Sequence, residues 1–341
     1  MKVLFIGLGA IGQRHLRNTR ALLPNAEFIA FRSTSADHII SQDLTISSDN
    51  GLAEKFSIST FDNLGNALKQ KPFATIVSNP SSLHALPALK ALQSGSHVFI
   101  EKPLSTDIQS IKKLLNEDKK NNHLTSMVGL QMRFHPLIKK LKILLEKETI
   151  GKILSVRAEV CEYMPWFHRY EDYRKTYAAR KDLGGGVIMS QIHEIDLMIY
   201  LFGMPDTVFA SGGKLSTLEI DVEDNVDILM TNNGAGIFLH MDFLQKSKKR
   251  VGVIYGESGR IEYDLNKLSL EVITENKIDS FEWADFERND MFVSELKEFF
   301  KCATSSISSS INIEEGAKSV FLASKIKESM SSNSLKKISF I

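Results

Sequence analysis

Two residues of this 341-residue chain, Lys102 and His193, have side chains that can move a proton at a reacting carbon. The lysine lies in the run Glu101-Lys102-Pro103, after the apolar segment 97–100, and an ammonium beside a substrate oxygen can donate a hydrogen bond to a developing alkoxide. A neutral imidazole with a pKa near ~6.5 can accept a hydroxyl proton. Two simpler interpretations stay open: a strand-end turn for Glu-Lys-Pro, and an ordinary core histidine for His193.

The glycine-rich segment at the start of the chain predicts a dinucleotide site. An apolar run typical of a short strand leads into Gly7, Gly9 and Gly12, spaced G-x-G-x-x-G, and a helical pattern follows. Gly7 permits the tight turn, Gly9 lets the backbone approach a pyrophosphate, and Gly12 lets the helix pack on the strand. The first amides of this helix, at Ala10 and Ile11, would face the anion.

The residues after the second predicted strand favour NADP over NAD. An acidic residue normally accepts the ribose hydroxyls of NAD at this point, whereas this chain has Arg32, Ser33 and Thr34. A guanidinium with two hydroxyls suits the extra phosphate of NADP. Arg32 could instead be a solvated strand-end cation, and Asp37 could still reach the ribose if its loop folds back.

The hydrophobic pattern divides the chain into two parts. Up to about residue 125, short apolar strands such as 75–78 and 97–100 alternate with helices, which predicts a doubly wound α/β sheet. We expect a Rossmann dinucleotide-binding domain over 1–125 and an α+β domain with a large, mainly antiparallel sheet over 126–341. Strands of the second part are predicted at 208–215, 225–232, 235–243, 251–256, 259–265 and 267–274, after a first strand in which Leu154, Val156, Ala158 and Val160 form one buried face.

The histidine lies in a segment with helical periodicity. An apolar stripe at 4-3-4-3 spacing runs through Ile188, Ile192, Ile195, Ile199 and Phe202, and Gly203 follows it. His193 is off this stripe and three residues from both Ser190 and Asp196, so the pattern predicts a polar helix flank that faces a cleft.

A concentration of aromatic and cationic residues precedes this helix, over 163–181. Among them, Tyr173, Arg174 and Arg180 are our candidates for substrate binding, because aromatic rings stack on sugar or base faces and arginines bind carboxylate or phosphate bidentately. The run favours an anionic sugar as substrate. An exposed charged loop with a few anchoring aromatics is nearly as good an interpretation.

Composition excludes several function classes. The net charge of +1 and the lack of a basic run with interleaved aromatics argue against nucleic acid as a partner. No apolar stretch reaches membrane-spanning length and no signal peptide is apparent, so we expect a cytoplasmic protein with no membrane partner. Cys161 and Cys302 lie far apart without metal or redox spacing, so we expect reduced thiols and no metal site.

The chain contains an ordered set of motifs: Gly7-Gly9-Gly12, Asn79-Pro80 with His84, Glu101-Lys102-Pro103, Arg133-Phe134 after Gly129, and Gly184-Gly185-Gly186 before His193. Taken together, these motifs resemble the Gfo/Idh/MocA oxidoreductase family. The resemblance implies an NAD(P)-dependent enzyme acting on a hydroxyl or ketone of a sugar or cyclitol, with the lysine of Glu-Lys-Pro and a histidine of the second domain at the reacting carbon. It also implies an open-faced second sheet whose outer surface makes homodimers or homotetramers. The run before the triple glycine resembles members associated with bacterial surface-polysaccharide sugars.

From this resemblance, further site residues are expected. Asn79, Pro80, His84 and Glu101 are assigned to the cofactor, and Arg133 joins the substrate side. Ser190 and His193 are also expected to contact the substrate. One departure stands out, because the family commonly has an aspartate where this chain has Ser190. A drifted substrate, a changed direction or a catalytically inactive NAD(P)-binding sensor therefore stay alternatives.

Overall fold

The computed structural model describes residues 1–32, 38–41, 45–47, 51–167 and 171–340, and two β-sheets organise them. One sheet has six strands and the other has nine. Within the described ranges, no helix combines the length and the apolar character needed to cross a bilayer.

The first sheet is parallel throughout. Its strands are β1 (Lys2–Ile6), β2 (Glu27–Phe31), β3 (Ser59–Phe61), β4 (Ala74–Val77), β5 (His97–Glu101) and β6 (Ser126–Gly129). Their order is β3-β2-β1-β4-β5-β6, so the winding direction reverses between β1 and β4. Ligands of such sheets bind outside the carboxyl ends of the strands at this reversal. The doubly wound α/β prediction is confirmed.

Helices connect these strands, and side-chain caps define where several of them begin. Asn63 accepts a hydrogen bond from the Asn66 amide and Asp107 accepts one from the Ser110 amide, which satisfies amides that lack partners inside the helix. These helices are α1 (Ala10–Leu22), α2 (Leu52–Lys55), α3 (Leu64–Leu68), α4 (Ala85–Gln93) and α5 (Ile108–Lys120).

The second sheet is mainly antiparallel, as predicted. Its strands are β7 (Ile153–Cys161), β8 (Thr207–Gly213), β9 (Asn225–Asn232), β10 (Ala235–Asp242), β11 (Lys249–Gly256), β12 (Gly259–Asp264), β13 (Ser269–Thr274), β14 (Ile278–Glu282) and β15 (Lys336–Lys337). They run in the order β14-β13-β12-β11-β7-β10-β9-β8-β15, and only the β10–β7 pair is parallel.

The buried face predicted for β7 is correct except at its first residue. Val156, Ala158 and Val160 are buried, but Leu154 is 50% exposed. The pairing register with β11 shifts between Tyr255 and Gly256, which leaves Leu154 without an opposing residue. A bulge of this kind reverses the side to which a side chain points. The prediction for Leu154 was therefore wrong.

The remaining helices lie against both sheets. The helix predicted around His193 is interrupted at Gln191, whereas its predicted end at Gly203 is confirmed. Asn312 caps the last helix by accepting a 3.0 Å hydrogen bond from the Glu315 amide. The helices are α6 (Pro136–Glu146), α7 (Val187–Ser190), α8 (Ile192–Phe202), α9 (Arg288–Ser305) and α10 (Ile313–Ser332). Short 3₁₀ helices lie at Ser81–Leu83, Gln131–Phe134, Met164–Trp166, Tyr173–Lys175, Tyr177–Ala179 and Lys181–Leu183.

The last two long helices pack on the first sheet. On α10, a Cβ atom at Gly316 would lie 2.4 Å from a methyl carbon of Val128 in β6, so only glycine permits this close approach. On α9, the ring of Phe299 lies 5.7 Å from that of Phe99 in β5. The first sheet itself continues to Gly129, four residues beyond the boundary expected at residue 125. Residues near the end of the chain thus complete the core around its beginning.

Candidate active site

The glycine motif forms a cradle that side chains would fill. Gly7 adopts φ +88°, and a Cβ atom there would lie 2.7 Å from the Asn79 nitrogen. A Cβ atom at Gly12 would lie 2.2 Å from the Gly7 carbonyl oxygen, whereas at Gly9 it would meet open space. The N-terminus of α1, with Ala10 and Ile11 in its first turn, has no side-chain cap. Free amides above an open glycine fit the pyrophosphate of a dinucleotide.

The ribose side of this cradle is described only in part. Arg32 directly follows β2, and its amide donates a 3.0 Å hydrogen bond to the Phe61 carbonyl oxygen of β3. This places Arg32 at the carboxyl end of β2, where the adenosine ribose is expected. Ser33, Thr34 and Asp37 lie outside the described residues.

His84 joins the loops that follow β4 and β5. Its Nδ1 lies 2.8 Å from the Pro103 carbonyl oxygen and its Nε2 lies 2.6 Å from the Asn79 carbonyl oxygen. Burial lowers the pKa of His84, although both backbone contacts act to raise it. Pro80 precedes the short 3₁₀ helix 81–83. His84 therefore holds the two loops together, while the buried Asn79 Oδ1 has no partner among the described residues.

The Glu101-Lys102-Pro103 turn brings the lysine to the second half of the chain. The Lys102 ammonium donates a 3.0 Å hydrogen bond to the carbonyl oxygen of Ser190, the last residue of α7. The Glu101 carboxylate accepts the Lys102 amide at 3.1 Å and lies 2.6 Å from Nε2 of His15 in α1. The two candidate catalytic segments, far apart in sequence, are thus in direct contact.

Three residues at the break between α7 and α8 carry buried polar atoms that lack hydrogen-bond partners among the described residues. His193 is 7% exposed, and neither of its ring nitrogens has a partner in the described part of the chain. Ser190 Oγ and Gln191 Oε1 are also buried without partners there. Buried polar atoms without hydrogen bonds are costly, so a group of them indicates a place where a ligand supplies the missing bonds. We call Ser190, Gln191 and His193 the unpartnered cluster.

The electrostatics around His193 keep its imidazole neutral. Burial lowers the pKa of His193 well below the ordinary value, and the nearby charges of Lys102, Arg250 and Arg288 lower it further. Arg250, in β11, forms an ion pair with Glu194, next to His193. Arg288 begins α9. A neutral imidazole at neutral pH can accept a proton.

Sequence reasoning missed Arg250 and Arg288. Their positions, 57 and 95 residues after His193, carry no local motif. Only the pairing of β11 with β7 and the placement of α9 beside α1 bring their charges to the histidine. The one sequence signal available is a basic residue near the start of a strand or helix, and such residues are common in proteins.

Arg133 occupies a buried ion pair. Its guanidinium donates to both carboxylate oxygens of Asp196, at 2.9 and 2.7 Å, and lies 3.4 Å from Glu315. Its charge also lies 5.0 Å from the ring centroid of Tyr200. Bidentate pairing uses the fork by which an arginine would bind a substrate carboxylate. Asp196, expected on the cleft flank with Ser190, is instead the partner of Arg133.

The candidates of the aromatic and cationic run lie on an exposed surface. Arg174 pairs with Asp172 at 2.8 Å and with Glu219 at 2.7 Å, and Arg180 pairs with Asp182 at 2.6 Å. The Tyr173 hydroxyl accepts the backbone amide of Glu219 at 3.3 Å. Neighbouring acids therefore already neutralise these cations. The adjoining residues 168–170 lie outside the described part of the chain.

Comparisons with known proteins match both halves of the chain. Residues 1–130 match the model of the oxidoreductase family with an NAD-binding Rossmann fold, and residues 138–262 match the GFO/IDH/MocA C-terminal domain. A myo-inositol 2-dehydrogenase of Thermotoga maritima is 26% identical, with the match covering 97% of this chain and 96% of that protein.

Solved structures share the whole fold. A levoglucosan dehydrogenase in complex with NADH superposes with a TM-score of 0.85 at 20% identity, over 100% of both chains. The WlbA dehydrogenase from Bordetella pertussis, in complex with NADH and UDP-GlcNAcA, gives a TM-score of 0.82 at 20% identity, over 100% of this chain and 99% of that one. At these identities the similarity establishes the fold.

Proposed function

Because the chain belongs to the Gfo/Idh/MocA family of NAD-binding oxidoreductases, we propose that it transfers a hydride between a nicotinamide cofactor and a hydroxyl or ketone of a sugar, sugar nucleotide or cyclitol. One observation carries this proposal. The imidazole of His193 is buried, neither ring nitrogen has a partner among the described residues, and the charge of Lys102 acts on it. Such an arrangement suits a reacting hydroxyl that supplies the missing partner.

In this proposal His193 and Lys102 both act on the substrate oxygen, in different roles. His193 takes the hydroxyl proton onto a ring nitrogen during oxidation and returns it during reduction. Lys102 donates a hydrogen bond to the same oxygen as negative charge develops on it. Ser190 Oγ, which is buried without a partner among the described residues, contacts a neighbouring hydroxyl. The glycine cradle at Gly7, Gly9 and Gly12 would hold the dinucleotide, whose nicotinamide would supply the hydride chemistry.

We propose NADP as the preferred dinucleotide. Arg32 lies at the carboxyl end of β2, and a guanidinium there favours the 2′-phosphate of NADP. Replacing Arg32 with Glu should invert the preference, because a carboxylate accepts the ribose hydroxyls of NAD and repels the phosphate. The preference is measured by titrating the unmodified protein and Arg32→Glu with NADPH and NADH and following nicotinamide fluorescence. Tighter binding of NADH than of NADPH by the unmodified chain would overturn the preference.

We further propose that the carbohydrate substrate is anionic. Support comes from the positive field at the site, because the charges of Lys102, Arg250 and Arg288 all act on the neutral His193. A site surrounded by cations concentrates a carboxylate or phosphate. Among structural relatives, the WlbA dehydrogenase was solved with UDP-GlcNAcA.

A substrate screen tests the proposed activity. Inositols, neutral hexoses, hexuronates and UDP-sugars are each incubated with the protein and either NADP or NAD, while nicotinamide absorbance is recorded. We expect turnover, fastest for an acidic member. The lack of turnover with every compound, together with tight cofactor binding, would favour a sensor, for which Ser190 in place of the family's usual aspartate is the supporting observation.

We also propose that two copies of the chain associate through the outer face of the second sheet. Leu229 and Phe238 are register partners on β9 and β10, and both are exposed, as are Leu154 and Tyr255 on the same face. Exposed apolar side chains in one patch are typical of an interface. Sedimentation velocity over a range of protein concentrations tests this, and a monomer at all concentrations would contradict it.

A further inference from the structure

Three titratable side chains meet behind the lysine turn, and none of them acts on the substrate in the proposed chemistry. His15 comes from α1, Glu101 from the end of β5 and Glu295 from the middle of α9. His15 and Glu295 are completely buried and Glu101 is 5% exposed. One polar atom from each lies within 4.8 Å of the other two. Three distant parts of the chain therefore place ionisable groups in one enclosed space.

The three side chains of this cluster differ in how many hydrogen-bond partners they have. Glu101 is well satisfied, since it lies 2.6 Å from His15 Nε2 and accepts the Lys102 amide at 3.1 Å. Both carboxyl oxygens of Glu295, like His15 Nδ1, have no partner among the described residues. A buried carboxylate without partners is too costly to persist beside a second carboxylate, because like charges repel strongly away from water.

Aromatic rings lie on the face of α9 that carries Glu295. On the same helix face, the Phe292 ring lies 6.1 Å from the His15 ring, and the Phe299 ring lies 5.7 Å from that of Phe99. Burial raises the pKa of Glu295 well above the ordinary value, and the charge of Glu101 adds to this. For Glu101, burial acts in the same direction, but the hydrogen bond and charge of His15 outweigh it and lower the pKa.

We propose that Glu295 is a positioning residue, kept as a neutral carboxylic acid, whose proton lets the Glu101 carboxylate stay beside it and hold Lys102 in place. A neutral carboxyl group at Glu295 places no second negative charge beside the Glu101 carboxylate, which stays 2.6 Å from His15 Nε2. Glu101 then fixes the Lys102 backbone amide, and the ammonium reaches Ser190. This role deepens the proposed function and rests on it, since it concerns the lysine of that site.

The protonation state can be measured without any substrate. Infrared difference spectra between the unmodified protein and Glu295→Gln at neutral pH should contain the carbonyl band of a protonated carboxylic acid, lost in the variant. Glu298→Gln is the matched control, because Glu298 lies on the same helix and accepts hydrogen bonds from Ser309 and Ser310 as a carboxylate. Its difference spectrum should contain carboxylate bands only. A carboxylate signal from Glu295, or one equivalent of tightly bound divalent metal, would overturn the inference.

The positioning role is tested by turnover. With the substrate found in the screen, Glu295→Ala should lower kcat on the order of 100-fold, because small displacements of a catalytic group cost about that much. The KM for the cofactor should change little, and Glu295→Gln, neutral and of the same size, should recover most of the loss. An equal loss in both variants, or none in the alanine variant, would contradict the role. If no compound is turned over, the proposed function fails, while the infrared result still decides whether Glu295 is neutral.

Discussion

Two cationic regions of this molecule differ in how their charges are satisfied. The aromatic and cationic run over 163–181 carries Arg174 and Arg180 at the surface, each paired with neighbouring acids. The buried region around His193 contains ring nitrogens without partners in the described chain, in the field of Lys102, Arg250 and Arg288. In the sequence, the first region is the more conspicuous.

We expect unsatisfied polar atoms to mark the ligand site of this protein better than a high density of charge does. An exposed arginine that already pairs with a carboxylate must give up that pair to bind an anion, and surface pairs of this kind contribute little either way. A buried polar atom without a partner gains a hydrogen bond when a ligand binds. The comparison predicts large effects of substitutions at His193 and Lys102 and small effects in the exposed run.

The largest effect is expected for His193→Asn. If the imidazole is the base that removes the hydroxyl proton, kcat for oxidation should fall roughly 100- to 10,000-fold, because an amide cannot accept that proton. Steady-state kinetics measures the loss, and cofactor binding by fluorescence serves as the control, since the dinucleotide cradle is unchanged. Oxidation within a few-fold of the unmodified protein would remove His193 from the mechanism.

The second largest effect is expected for Lys102→Met, which should lower kcat roughly 100- to 1,000-fold. Methionine keeps the length of the side chain but cannot donate a hydrogen bond to the developing alkoxide. Backbone amides hold the pyrophosphate, so the dissociation constant of NADPH should remain nearly unchanged. Turnover like that of the unmodified protein would show that the contact between Lys102 and Ser190 is structural only.

Ser190→Asp should shift the pH dependence. The pKa of His193 lies well below its ordinary value through burial and three neighbouring cations, so oxidation should stay high at neutral pH and fall only when the pH drops low enough to protonate the imidazole. A new carboxylate stabilises the imidazolium and raises this pKa, which moves the acidic limb of the oxidation profile to higher pH. A pH profile of kcat tests this. An unmoved limb would show that the two side chains do not share the cleft.

The smallest effects are expected for Arg174→Ala and Arg180→Ala. Because acids 2 to 45 residues away already neutralise both guanidiniums at the surface, each change should alter kcat/KM by less than about fivefold. A loss comparable to that of Lys102→Met would reverse the comparison between the two regions. It would restore the exposed run as the main substrate contact.

Features that depend on local sequence were predictable. The glycine turn, the predicted strand 225–232 and the helix end at Gly203 are fixed by residues within a few positions of each other. The predicted pair of Lys102 and His193 is brought to one place, because Lys102 follows a parallel strand and its ammonium reaches the Ser190 carbonyl oxygen, three residues before His193. Their catalytic roles stay predictions.

Tertiary structure decided the features that depend on distant partners. The bulge at Tyr255 turned Leu154 outwards, Asp196 took Arg133 as its partner, and Arg250 reached His193 through strand pairing. Sequence alone determined the two-sheet plan and the cofactor motif, since periodicity and turn chemistry are local properties. Which charges are satisfied and which are left to a ligand depends on long-range packing, and no window of the sequence contains that information.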